Sequence, residues 1–274
     1  MKKIMLEIVK YYIVFHALLL FLFSILLCST LIPRKAVQTK FEETAEYLCE
    51  NHTVFRVVPY ISSSQLDRYA DVILLSIAYH IDEGNHFNSI MWANYYGTSS
   101  QLANEDFLKS VEENLPADHQ YLRYWHGAVP FLRILHLGMN IRDIYILNSC
   151  LMIGLFIWLI ILLGRNGYFN EAVSLIISII MVSAWFVPLC LEYTWCFFIM
   201  LIVSIIGSIQ ALQKNYFPLL FLISGILTAY LDFLSTETIT LLIPLLIVLQ
   251  IMEKQEISKQ RKYFCNCSEP PALT

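Results

Sequence analysis

The chain has 274 residues, 57% hydrophobic and 15% charged, with a mean hydropathy of +0.59. A soluble domain carries about a quarter charged residues, so this mix excludes both a soluble enzyme and a disordered chain. Eighteen Lys and Arg against 22 Asp and Glu give a net charge of -4, which lacks the basic excess of a nucleic-acid binder and leaves an integral membrane protein.

A spanning helix needs about 20 predominantly apolar residues. The first candidate follows Met1-Lys2-Lys3 and Lys10 and runs unbroken from Tyr11 to Ile32. Its charge order is that of a signal peptide. A signal h-region, however, is about 7–15 residues long and ends in small residues, whereas this run has spanning length and stops at Pro33-Arg34-Lys35. It therefore reads as an uncleaved first helix. Five further apolar segments follow: Ile144 to Leu163, Ala172 to Cys190, Trp195 to Leu212, Phe217 to about Leu234, and about Thr236 to Met252.

The expected fold class is thus an all-α integral membrane protein with about six transmembrane helices. Residues 1–33 form the N-terminus and first helix, 34–143 a long loop with interfacial helices, 144–252 a five-helix bundle and 253–274 a tail. Lys and Arg of short connections stay cytoplasmic. Placing the N-terminus inside puts Lys2, Lys3, Lys10, Arg165, Lys214, Lys254, Lys259, Arg261 and Lys262 on one side. The opposite short turns, 191–194 and 235–238, hold no basic residue. The expectation is a multi-pass plasma-membrane protein with both termini cytoplasmic.

The segment from Pro33 to Asp143 then lies outside, with nine basic residues against fourteen acids. It is too long for a mere connection and too mixed in charge for disorder. Within it, Asp67 to Ile81 and about Tyr121 to Met139 read as helices lying along the outer membrane face, the second interleaving Tyr121, Tyr124, Trp125 and Phe131 with Arg123, His126, Arg133 and His136.

Three constellations could carry chemistry. Asp67 and Asp71, four apart, share one face of a helix; as a pair they could act as a general base, or they simply complement the helix dipole as acids in a first turn. Arg123-Tyr124-Trp125-His126-Gly127 combines a phosphate clamp with rings able to face a lipid tail or a sugar, Arg133 and His136 extending the same face; an aromatic belt with a snorkelling arginine is the plainer account. Asp232 and Glu237, near Glu192, would line an outward acidic cavity for a polar substrate or a divalent cation, or are exposed acids on the outer side.

The seven cysteines form no disulfide framework, and Cys265-Asn-Cys267 has the wrong spacing for a zinc or redox pair, so neither metal nor cofactor is expected. Phosphate-loop, His-Glu-x-x-His and Gly-x-Ser-x-Gly motifs are absent from the sequence. His16 and Asn148 read as hydrogen-bonding partners of neighbouring helices, and Gly154, Gly207 and Gly225 as sites of close packing.

One inner-anchored helix, a long outer loop with acids and interfacial helices, and then a bundle of spans resemble the polyprenyl-phosphate-sugar-dependent membrane glycosyltransferases of GT-C architecture. The segments 68–71, 123–127 and 225–234 are similar to stretches in uncharacterised multi-pass proteins of Gram-positive bacteria. The resemblance implies transfer of a sugar from a lipid-phosphate donor to an envelope glycan acceptor at the outer face. It implies Asp67 or Asp71 as the acid, and Arg123, His126 and Arg133 on the lipid phosphate. Such enzymes usually carry more spans than six. The alternative is a non-catalytic membrane subunit, or a transport-associated protein, that binds a partner through its outer loop.

Overall fold

The computed structural model describes residues 2–50, 52–98, 102–215, 218–231 and 236–267. Helix α1 (Lys2–Ser29) leads at Pro33 into α2 (Arg34–Cys49). Short strands β1 (Val54–Arg56) and β2 (Gln65–Asp67) pair antiparallel, and α3 (Tyr69–Tyr79) and α4 (His86–Trp92) follow. Strand β3 (Asn94–Tyr95) precedes α5 (Ala103–Glu112) and pairs antiparallel with β4 (His119–Gln120), after which comes α6 (Val129–Leu135). The remainder is helical: α7 (Ile141–Arg165), α8 (Phe169–Met181), α9 (Leu191–Leu212), α10 (Pro218–Leu231) and α11 (Ile239–Cys267).

The protein is mostly helical, and among the described residues three helices are long and apolar enough to cross a membrane: Ile4–Ser29, Ile141–Arg165 and Leu191–Leu212. The expected span from Ala172 to Cys190 is interrupted. Helix α8 stops at Met181, Ser183 takes a left-handed φ of 52°, and a 3-10 turn with Pro188 covers Ala184–Leu189. Of the expected span from Phe217 to about Leu234, the described residues show helix α10 over Pro218–Leu231, about 21 Å at 1.5 Å per residue; residues 217 and 232–234 lie outside them.

Burial along α1 changes at one level. Ile4, Leu6, Ile8, Tyr12, Leu20 and Phe21 are exposed, whereas Leu22, Leu26, Ser29 and Thr30 are buried. From Ile4 to Leu22 the helix rises about 27 Å, close to a hydrocarbon thickness. Above that level, segment 33–143 packs on one face of α1, while Ser24 and Cys28 stay exposed. Val37, Phe41 and Ala45 of α2 pack with Leu74, Leu75 and Ala78 of α3, Phe107 of α5, Leu132 of α6 and the first turn of α7 in one core. Below it a second core joins α7, α8, α9 and α11 through Met152, Leu159, Leu201, Ile205, Val248 and Ile251. Gly207 permits the α9–α11 approach, since a Cβ there would lie 2.9 Å from a Val248 methyl. Around this second core Ile146, Leu151, Ile153, Ile157, Trp158 and Ile180 remain exposed, an apolar girdle suited to lipid.

Two local expectations need correction. Helix α3 begins at Tyr69, so Asp67 lies in β2, its backbone paired with Val54, and shares no helical face with Asp71. The stretch 121–139 is helical only over Val129–Leu135. Strand pairing at 119–120 and the left-handed His126, with φ 54°, hold residues 121–128 out of helix.

Candidate functional site

Asp71 is fully buried in the first turn of α3. Its carboxylate accepts from the Tyr145 hydroxyl at 2.7 Å and from the backbone N–H groups of Leu191 at 2.8 Å and Glu192 at 3.2 Å, with the Cys190 thiol 3.7 Å away. Leu191 and Glu192 open α9, which has no side-chain cap of its own. Asp71 therefore supplies that helix with its capping anion from a distant element. Burial pushes its carboxyl up to about 6, while Tyr145, Leu191 and the nearby Arg68 charge pull it down. At neutral pH it is an ionised acceptor already surrounded by donors, with no lone pair turned to solvent.

Arg68, 5% exposed, completes this centre. Its guanidinium lies 4.8–5.3 Å from the ring centroids of Tyr145, Phe55 and Tyr47, and its Nε donates to the Leu189 carbonyl at 3.3 Å. Cation–π contacts in a desolvated cage explain how a charge survives there.

Arg133 is also wholly buried. Its Nε donates to the Ser29 carbonyl at 3.0 Å, and its two Nη atoms donate to the carbonyls of Ala78 and Ile32. Ser29 ends α1, Ile32 lies in the turn just after it and Ala78 lies in the last turn of α3, so one guanidinium ties the C-terminal ends of two helices together. It is not available to a phosphate. His136 stacks on Phe41 at 4.1 Å and holds the Leu132 carbonyl and the Thr44 hydroxyl. Burial pushes His136 down to about 4, so it is neutral.

The 121–127 loop is different. His126 is buried, its Nε2 2.7 Å from the Tyr121 carbonyl, and burial depresses its pKa; it ties the loop to itself. The Gly127 N–H donates to the Tyr230 carbonyl at 3.1 Å, docking the loop on α10, and a Cβ at Gly127 would collide with the Tyr230 ring and carbonyl. Residues Arg123 and Trp125 stay exposed. Trp125 closes one side of an apolar groove of about 440 Å³ between α1 and α10, lined by Phe15, Leu19, Phe221, Leu222 and Ile226. That groove lies just below the level where α1 becomes covered.

Beside the loop, β3–β4 pairing brings Tyr95 to Tyr121, 6.3 Å between centroids. Tyr124 lies 5.6 Å beyond, with Arg123 5.6 Å over its ring. Asp67 is exposed, one carboxylate oxygen accepting its own Tyr69 N–H at 2.9 Å. Glu237 is exposed, and Asp232 lies outside the described residues, as do residues 268–274 of the tail. Among the described residues no group of three or more His, Cys, Asp or Glu could hold a metal ion.

The structure thus brings Arg123, Trp125 and the Tyr95–Tyr121–Tyr124 rings to one surface, and places Asp71, His126 and Arg133 inside the fold. Arg68, Tyr145 and Tyr95 have roles that sequence reasoning missed. Only the long-range meeting of α3, α7 and α9 reveals the first two; a tyrosine two residues before Gly97, matched with the aromatic 121–125 run, was the available signal for the third.

No family model, no curated protein and no solved structure matches the chain.

Proposed function

We propose that the chain is a plasma-membrane protein of glycosyltransferase type whose six apolar segments all cross, the third as a helix broken at Ser183. Both termini lie inside, and a sugar is transferred at the outer face from a polyprenyl-phosphate-linked donor to an envelope glycan. The observation that carries this reading is the apolar groove between α1 and α10, closed by Trp125 of a loop whose next exposed polar residue is Arg123. An isoprenoid chain suits an apolar slot at outer-leaflet depth, a phosphate suits an exposed guanidinium at its mouth, and tyrosine faces suit a sugar ring. Of the two acids suggested by the sequence, Asp67 is the one with an exposed carboxylate, and it takes the role of base or acceptor-orienting group. Asp71 and Arg133 act as positioning residues, through α9 and through the ends of α1 and α3.

A second reading, a non-catalytic membrane subunit, is favoured by the same internal placement of Asp71, His126 and Arg133. Sugar transfer from a polyprenyl-phosphate donor by the purified, reconstituted chain separates the two. Activity in the wild type that Asp67→Asn and Arg123→Ala both abolish supports the transferase. Absence of transfer supports the subunit; transfer at full rate in both variants keeps the transferase and overturns the assignment of Asp67 and Arg123 to its site.

A further inference from the structure

Helix α4 is the low point of a dip along α1. Before it, the Glu83 carboxylate accepts the Arg34 N–H at 2.6 Å, which fixes the chain where α1 gives way to α2. Four residues later the Phe87 ring meets the Phe23 ring edge-on, 6.2 Å between centroids. Phe23 lies six residues before the end of α1 at Ser29, so the chain has descended about 9 Å toward the membrane. After α4 it climbs again, and Asn94 lines a polar cleft with Pro33 and Arg34. Measured up α1, Phe23 stands about 28 Å above Ile4, close to one hydrocarbon thickness. The dip therefore reaches the outer boundary of the bilayer.

What α4 presents at that depth is apolar. Phe87 and Met91, four apart on one face, and Trp92, which ends the helix, are each about half exposed. Ser89, on the opposite face, is buried and accepts the Asp82 N–H at 2.6 Å. The backbone suits lipid as well. Asn85 Oδ1 accepts the Asn88 N–H at 3.2 Å, and the Ala93 N–H donates to the Ser89 carbonyl at 3.1 Å. Ala93, left-handed with φ 44°, turns its own carbonyl to the Tyr121 N–H at 3.2 Å. These bonds meet polar groups at both helix ends that hydrocarbon would leave unpaired.

The last of them seats loop 121–125 directly after α4. Its exposed Leu122 and Trp125 carry the apolar surface on to α1, where Trp125 stands beside Phe15 and Leu19. The surface thus joins the lipid-facing side of α1 at two places, Phe23 and Trp125, and that continuity names its occupant: a bilayer crossed by α1 covers α4 too. Helix α3, whose apolar sequence suggests an interfacial role, is instead buried from Asp71 to Tyr79.

We propose that α4, together with Leu122 and Trp125, is an interfacial anchor that seats the outer segment in the outer leaflet. Phe87, Met91 and Trp92 lie among phospholipid acyl chains just below the headgroups. The anchor requires only that α1 crosses the bilayer and does not rest on the transferase reading.

Fluorescence quenching of the full chain in phosphatidylcholine vesicles tests it. The chain has five tryptophans, so Trp92 is read as the difference between the wild type and Trp92→Phe, which keeps an aromatic ring at a half-exposed position. Phosphatidylcholine brominated at its upper acyl carbons should cut the Trp92 emission at least about twofold, whereas iodide on both sides of the membrane should change it by less than about a tenth. Met91→Glu puts a charge into the face without touching the core. By the same difference it should raise iodide quenching of Trp92 about threefold while leaving the melt in detergent unchanged. Quenching of Trp92 by iodide and not by bromolipid places α4 in water and overturns the proposal. Shielding from both quenchers means that protein, such as a second copy of the chain, covers α4, and overturns it equally. An iodide response that Met91→Glu leaves unchanged overturns the anchoring role of this face.

Discussion

Arg133 separates a structural guanidinium from a substrate-binding one. Replacing it with Met removes the donors to the carbonyls of Ser29, Ile32 and Ala78. The Ser29 carbonyl keeps the Ile32 N–H, so two carbonyls are left unsatisfied; at about 1–3 kcal/mol each they cost roughly 4 kcal/mol. Against this, burial pushes Arg133 down to about 10, a depression worth about 3 kcal/mol that the substitution releases. The net loss is about 1 kcal/mol, or roughly 2–4 °C in Tm for a domain of this size. Arg133→Lys keeps a buried charge but cannot fork to three carbonyls, so it does not rescue. The assay is thermal unfolding in detergent, followed by tryptophan fluorescence. If Arg133→Met and Arg133→Lys both melt like the wild type while transfer activity falls, Arg133 holds substrate and the helix-end account is wrong.

Three further outcomes are expected. Asp71, raised to about 6 by burial, contributes stability that is lost as pH rises through 6; His80 and His136, both lowered to about 4, contribute stability lost as pH falls from about 6.5 through 4. Between pH 7 and pH 5 the Tm of His136→Gln should therefore fall less than that of the wild type, and the Tm of Asp71→Asn should fall more. Gly127→Ala forces the loop off Tyr230 and should cost about 1–3 kcal/mol, with Trp125 emission shifting as the groove opens; an unchanged melt contradicts this docking. Arg123→Ala, at an exposed position, should leave Tm within about 0.5 kcal/mol of the wild type and weaken lipid-phosphate binding about tenfold in an equilibrium binding assay.

The membrane character of the chain was legible in its composition, and α1, α7 and α9 lie where unbroken apolar runs lie. Tertiary context decided the rest. Asp71 looked like half of an acidic pair because sequence spacing places i and i+4 together on a helix, but the helix starts two residues after Asp67. Arg133 and Arg123 look alike in sequence; one is consumed by helix ends formed about 55 and 104 residues away, the other stays exposed. The apolar run from Ala172 to Cys190 reads as one span because hydropathy does not register the left-handed Ser183 that breaks it.

The central claim, that the α1–α10 groove holds the lipid of a phosphate-linked substrate, is tested most directly by photo-crosslinking with a diazirine-bearing polyprenyl phosphate and mapping the labelled peptides. The account predicts labels on Phe15, Leu19, Trp125 and Phe221, competed by unlabelled polyprenyl phosphate and reduced in Arg123→Ala. The protein offers a built-in control in another apolar groove, of about 310 Å³, between α7 and α8 along Met152, Phe156 and Ile180. Labels confined to that second groove, or spread over both without competition, would contradict it.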